Sequence, residues 1–173
     1  IVAYDPAFGY EVAVIIREGI RRMHLEGEAV VYYLTVTNEN YAMPDMPAGA
    51  EEGILKGLYR VRASQQKRGR KRAHLFGSGA ILNEAIKAQL ILEQEYGIAA
   101  DVWSVTSYKQ LHEDGTRVER WNLLHADEPP RQAWVAQCLE GEAGAFVLAR
   151  DYVKALPDSI ARWFPRPPLT LGT

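Results

Sequence analysis

One cysteine, Cys138, is all the chain carries in 173 residues. An internal disulfide is therefore excluded, and with no histidine pair beside it Cys138 reads as a small core residue suited to a reducing compartment. Long apolar runs are lacking as well. No stretch approaches the roughly 18 residues needed to cross a bilayer, and Ile1-Val2-Ala3-Tyr4 lacks the order of a signal peptide, so a cytoplasmic protein without a membrane partner is expected. The missing initiator methionine suggests an earlier start. Excess charge of one sign is absent: 20 Lys and Arg stand against 22 Asp and Glu, a net charge of −2, which gives no broad basic field to gather nucleic acid. The one basic run, Gln65 to Arg72, holds no aromatic residue to stack a base and reads as a solvated loop. His24, His74, His112 and His125 have no second histidine or cysteine at ligand spacing, so no metal site is expected. No Gly-x-Ser-x-Gly elbow occurs, which removes support for nucleophilic hydrolysis.

What is present is periodicity. A chain of this length with 47% hydrophobic residues can bury roughly two-thirds of its extended surface without a staple. Asp5-Pro6 marks a helix start. Val12, Ile15, Ile16, Ile20 and Met23 recur at helical steps, predicting an amphipathic helix that ends between His24 and Gly27. Residues 29–36 read as a strand buried on both faces, the kind found in covered parallel sheets. The two-proline segment 38–49 has no period and is expected to hold a domain boundary. Residues 58–63 and 73–76 then read as an antiparallel strand pair around the basic loop. A second helix is expected over 81–96, closed by Gly97, and a strand over 99–106. A short helix at 108–111 should be interrupted at Asp114-Gly115 and be followed by 118–124. Residues 145–149 read as a last buried strand and 159–164 as helix, with a proline-rich tail. Strands alternating with helices give α/β architecture and a mostly parallel sheet.

Three stretches could carry chemistry. Gly77-Ser78-Gly79 before a helix resembles a phosphate cradle, but no Walker lysine or dinucleotide fingerprint follows, so a turn with Ser78 capping the helix is favoured. His112-Glu113-Asp114 could form an acid-base cluster or a solvated loop, the latter favoured. Asn38-Glu39-Asn40-Tyr41 follows the carboxyl end of a buried strand, where open α/β sheets place ligands. A polar loop satisfying its own backbone is an equal alternative there.

Several separate motifs nevertheless occur in one order: Tyr4-Asp5-Pro6-Ala7-Phe8-Gly9-Tyr10-Glu11, Asn38-Glu39-Asn40-Tyr41, Pro47-Ala48-Gly49-Ala50-Glu51-Glu52-Gly53, Asp101-Val102-Trp103-Ser104-Val105-Thr106-Ser107, Glu119-Arg120-Trp121-Asn122 and Leu169-Thr170-Leu171-Gly172-Thr173. Together they resemble the decarboxylating first component of the homodimeric bacterial pyruvate dehydrogenase family. The resemblance implies the end of a thiamine-diphosphate-binding pyrimidine domain over 1–42. A transketolase C-terminal-like, three-layer α/β domain with a mostly parallel mixed sheet would follow over 43–173, incomplete at its end. It implies thiamine diphosphate and magnesium as cofactors, pyruvate as substrate, and as partners a second copy of the chain and the dihydrolipoyl acyltransferase core, whose lipoyl group is reductively acetylated. Tyr4, Glu39 and Tyr41 would be catalytic, with Asn38 and Asn40 binding the cofactor. The family's Gly-Asp-Gly metal motif and its activating glutamate lie upstream of this segment, so the segment alone is expected to be inactive. Ala42 stands where some relatives carry an active-site histidine, which puts that proton relay in doubt. The alternative is an assembly module of another transketolase-superfamily enzyme.

Overall fold

A computed structural model describes residues 1–66 and 71–172; half of the basic run, Lys67 to Arg70, lies outside the described residues. The chain builds two sheets, and a buried carboxylate on the helix between the first two strands ties that helix to the second sheet. β1 (Val2–Tyr4) and β2 (Tyr32–Leu34) pair in parallel, Val2 opposite Tyr32. Between them runs α1 (Gly9–Ile20), extended by a π-helical turn at Arg21–Leu25. Asp5-Pro6 lies ahead of this helix rather than at its start. The cap is Phe8, and Glu11 reaches back to accept from the amides of Ala7 (2.5 Å) and Phe8 (3.0 Å), satisfying donors a helix start leaves open.

Glu11, Val14, Ile15 and Gly19 form the buried face of α1, whereas Ile16 and Ile20 are about half exposed. The expected stripe is thus rotated, because the carboxylate of Glu11 is drawn inward by its donors. β2 also differs from expectation. It is not buried on both faces: Tyr33 is 60% exposed, while Tyr32 and Leu34 pack against Val2, Tyr4, Val14 and Ile54. An apolar run permits burial on two faces, but β2 has one strand neighbour and one packed side.

The second sheet has five strands in the order β3 (Tyr59–Arg62), β5 (Ala99–Ser104), β4 (Arg72–Gly77), β6 (Ala145–Ala149) and β7 (Leu169–Leu171). β3 is antiparallel to β5, and the other pairs are parallel. The expected β3–β4 pair does not form. The connection through α3 (Ile81–Gln94) lays β5 alongside β4, and β3 takes the far side of β5. β4 and β5 are buried along nearly their whole length, as central parallel strands require. β7 lies within the proline-rich tail as a further, largely exposed edge strand beyond β6.

α2 (Glu51–Lys56) leads into this sheet, and α4 (Tyr108–Leu124), α5 (Trp134–Cys138) and α6 (Ala155–Asp158) follow it, with a 3-10 turn at Ala161–Trp163. Asp114-Gly115 does not interrupt α4. Ser107 caps the helix by accepting from the Gln110 amide (3.0 Å), and Asp114 accepts from the Trp134 amide (2.7 Å). Gly115 is buried beneath the indole of Trp163, where a Cβ would stand closer than 3.0 Å to three ring carbons. The glycine is there for that close approach, not as a break. The core below is aromatic: Phe76 stacks on Trp103 at 5.7 Å, and Phe164 meets Phe76 edge-on at 5.3 Å.

Candidate functional site

The loop after β2 is held by its last member. The phenol of Tyr41 donates to the Ala7 carbonyl and its ring stands edge-on to Phe8 at 6.3 Å, so the loop lies over the start of α1. Met43 adds a second tie, its Sδ accepting from the Gly9 amide at 3.4 Å. Asn38, Glu39 and Asn40 are exposed, and their side chains make no hydrogen bond to any of the described residues. The alternative in which these side chains satisfy the loop's own backbone therefore fails. Their two amides and one carboxylate are open to solvent.

Tyr4 is elsewhere. It is buried, stacks on Tyr32 with centroids 6.1 Å apart, and donates to the Leu55 carbonyl at 2.8 Å. Burial first, then the neighbouring Tyr32, pushes its phenol well above the ordinary range. No hydrogen bond or ring contact joins Tyr4 to residues 38–41 among the described residues. Tyr4 instead lines two cavities of about 570 and 540 Å3, neither of which Asn38, Glu39, Asn40 or Tyr41 lines.

Ser78 does not cap α3. The helix opens after Ala80 with no side-chain cap, and the Ser78 hydroxyl is buried without a partner. The turn instead approaches Asp5: Gly79, at φ +51, donates its amide to the Asp5 carbonyl at 3.1 Å. His112, Glu113 and Asp114 are not a cluster either. Successive helix positions point apart; His112 meets the Ser159 carbonyl at 3.2 Å, Glu113 pairs with Lys109, and Asp114 serves the Trp134 amide.

Two groups went unseen in the sequence. Glu11, fully buried, accepts from the Ala7 and Phe8 amides and also from Tyr59 (2.6 Å) and Ser104 (2.6 Å), so one carboxylate ties α1 to β3 and β5. Tyr10 extends the chain through its hydroxyl to that of Tyr59 at 2.7 Å. The second group is His74, Asp101 and Glu142, whose ligand atoms lie within 4.8 Å of one another. Its carboxylates are already matched, Asp101 by Arg72 and Glu142 by Arg60 at 3.1 Å. The imidazole faces Asp101 through Nδ1 (3.6 Å) and Glu142 through Nε2 (3.7 Å), opposite sides of one ring. Burial, the largest influence, lowers its pKa. The arrangement is that of an ion-pair network rather than a cation cage. It could be found only through strand register, which sets His74 opposite Asp101.

The mostly parallel five-stranded sheet with one antiparallel edge and its flanking helices defines an α/β domain, with a short parallel strand pair ahead of it. Transketolase from Pichia stipitis has the same fold, with a TM-score of 0.54 at 18% identity over 88% of this chain and 18% of that one. The sequence leads to the same place: residues 57–171 match the transketolase-like TK C-terminal domain, and the chain belongs to that family. Residues 1–44 match the pyruvate dehydrogenase E1 component middle domain. Among curated relatives, the pyruvate dehydrogenase E1 component of Pseudomonas aeruginosa is 48% identical over 162 residues, 94% of this chain and 18% of the relative. That of Escherichia coli is 46% identical over 95% of the chain and 18% of the relative, and that of Mycobacterium tuberculosis 41% over all of it and 19% of the relative. The resemblance read from the motifs is thus borne out, and the chain spans less than a fifth of the length of these relatives.

Proposed function

We propose that the chain is part of a pyruvate dehydrogenase first component, an enzyme that decarboxylates pyruvate with thiamine diphosphate and reductively acetylates the lipoyl group of a dihydrolipoyl acyltransferase core. The observation that carries this reading is identity of 41 to 48% across nearly the whole chain to proteins of that name. A transketolase-type sister enzyme, or an assembly module of one, is less well supported, since likeness to transketolase rests on 18% identity. In this reading residues 1–42 close the pyrimidine-binding domain and 43–173 form most of the C-terminal domain. The enzyme acts as a homodimer in the cytoplasm. No helix among the described residues is long and apolar enough to cross a membrane.

The residues fit one edge of a thiamine diphosphate site and no more. Asn38 and Asn40 offer amide donors and acceptors, and Glu39 a carboxylate, all exposed and unengaged; Tyr41 fixes their place over α1. Bound there, the cofactor would supply the carbanion-stabilising carbon on which pyruvate loses carbon dioxide. Glu39 would accept or orient a proton, and Tyr41 would act by holding the loop. Tyr4, with its hydroxyl committed to Leu55 and its ring stacked on Tyr32, stands apart from this edge. Magnesium finds no place in the one candidate group among the described residues, because arginines neutralise its carboxylates. It belongs with residues outside this segment.

The test uses the full-length enzyme. Glu39→Ala or Tyr41→Ala should lower pyruvate turnover far more than thermal stability, and the 173-residue chain alone should show no decarboxylation with thiamine diphosphate and magnesium. Loss of stability without loss of turnover would make the loop structural, and turnover by the segment alone would defeat the division of labour proposed.

A further inference from the structure

The cavity of about 540 Å3 lies outside the carboxyl ends of strands from both sheets. Asp5 follows β1, Thr35 follows β2, and Arg150 follows β6 directly, and all three line it. From β4 the chain adds β5 on one side and then β6 on the other. This reversal is the switch point at which open α/β sheets leave a ligand crevice. Arg150 stands at one lip of it.

Two of its lining residues carry a buried donor atom without a hydrogen-bond acceptor among the described residues. The side chain of Arg150 is 9% exposed, makes no hydrogen bond among the described residues, and has a buried Nε without a partner. Its nearest anion is Asp5, 3.6 Å from Nη2, beyond hydrogen-bonding length. The guanidinium is held over the rings of Tyr108 and Tyr152, at 5.1 and 4.8 Å from their centroids. Tyr108, 3% exposed, likewise has a buried hydroxyl with no partner. A buried donor without an acceptor costs about 1 to 3 kcal/mol, and more when charged, so two of them meeting in one cavity call for a group that accepts from both.

Charge selects the acceptor. Around the cavity, Lys109 is paired with Glu113, and Arg150 is matched at a distance by Asp5. The His112 imidazole is directed to the Ser159 carbonyl. Lys109 is spent on a close pair, whereas Arg150 stands 3.6 Å from Asp5 and keeps its hydrogen-bonding capacity, so it can offset one negative charge; a dianion would leave a second charge facing Asp5 and Glu113. The remaining wall includes Tyr33 and Leu156, which suit a short hydrocarbon body. We infer that this cavity binds a small monocarboxylate, its oxygens accepting from Arg150 and Tyr108 and its carbon chain lying against Tyr33 and Leu156. The site is separate from the Asn38 to Tyr41 loop.

Acetate and butyrate are the probes, applied to the full-length enzyme and followed by saturation-transfer NMR, with inorganic phosphate as the dianionic arm. Butyrate should bind saturably, on the order of millimolar for so small a ligand, and be displaced by acetate more readily than by phosphate. Tyr108→Phe, which keeps the ring and removes only the hydroxyl, should weaken binding about fivefold, and Arg150→Met about tenfold or more. The inference is overturned if butyrate fails to saturate, if Tyr108→Phe binds it as well as the unaltered protein, or if phosphate is the better competitor. Should Arg150→Met not fold, Tyr108→Phe decides alone. Pyruvate turnover measured on the same samples keeps this outcome apart from the fate of the catalytic reading, which turns on Glu39 and Tyr41.

Discussion

Replacing Gly115 with alanine sets two forces in α4 against each other. In an exposed helix interior the change stabilises by about 0.5 to 1 kcal/mol, because alanine loses less backbone freedom on folding. At Gly115 the added methyl would stand closer than 3.0 Å to three carbons of the Trp163 ring. A rigid indole cannot bend away; it must move as a body, disturbing its N–H bond to Glu119 (2.9 Å) and its edge contact with His112 (5.9 Å). Overpacking of this kind costs about 1 to 3 kcal/mol. Subtracting the propensity gain leaves a net loss of up to about 2.5 kcal/mol, which lowers Tm by up to about 10 °C for a domain of this size. Thermal and urea unfolding followed by circular dichroism measure it. The control is the same substitution in a Trp163→Ala background, where the obstructing ring is gone and Gly115→Ala should be neutral or stabilising; the difference between backgrounds is the coupling. A rise in Tm in the unaltered background, or equal changes in both, would refute the packing argument.

Other perturbations probe the buried polar groups. Glu11→Gln turns one of the two acceptor oxygens into a donor, set against either the hydroxyls of Tyr59 and Ser104 or the amides of Ala7 and Phe8, and should cost about 2 to 3 kcal/mol in chemical unfolding, while Glu11→Asp, too short to reach both pairs of donors, should not restore it. Burial pushes the Cys138 thiol from 9.0 up to about 12, so the neutral thiol's contribution is fully present below pH 9 and is lost as pH climbs toward 12; a thiol reagent at pH 8 should label Cys138 at least about tenfold more slowly in the native than in the unfolded chain. The Tyr10 phenol, raised to about 12 chiefly by burial, acts in the same alkaline direction, its stabilisation fading between pH 10 and 12 in a pH titration of Tm. His74 works the other way. Its pKa is lowered by burial, so the unfolded chain takes up the proton first and stability falls as pH drops below the ordinary 6.5; His74→Phe should flatten that acid limb.

Elements that announce themselves by local pattern were legible in the sequence. α3 has its apolar period and Gly97, at φ +63, as its stop; β5 and β6 are short apolar runs that the sheet buries. Elements whose existence depends on a distant partner were not. β1 is three residues long and exists by pairing with β2 thirty residues on. β7 sits behind Pro167-Pro168 and is a strand because Leu169 registers with Val147 at the sheet edge, one of the few strand positions that tolerates preceding prolines. The candidate site divides in the same way. The polar loop at 38–41 was readable because four such side chains in succession are a local fact. Glu11, whose donors come from residues 7, 8, 59 and 104, and the His74 network required a register that no spacing rule contains.

The Glu11 node bears on how such a polypeptide can be cut. Family boundaries invite expression of residues from about 43 onward as a free-standing piece. That excision would strip Tyr59 and Ser104 of their shared acceptor and bare Ile54 and Tyr59, with which Val14 and Ile15 of α1 cluster. A dissection that respects the physics would carry the strand and helix of the preceding homology unit along with it, so the smallest cooperative block here straddles a junction that alignments draw as a seam.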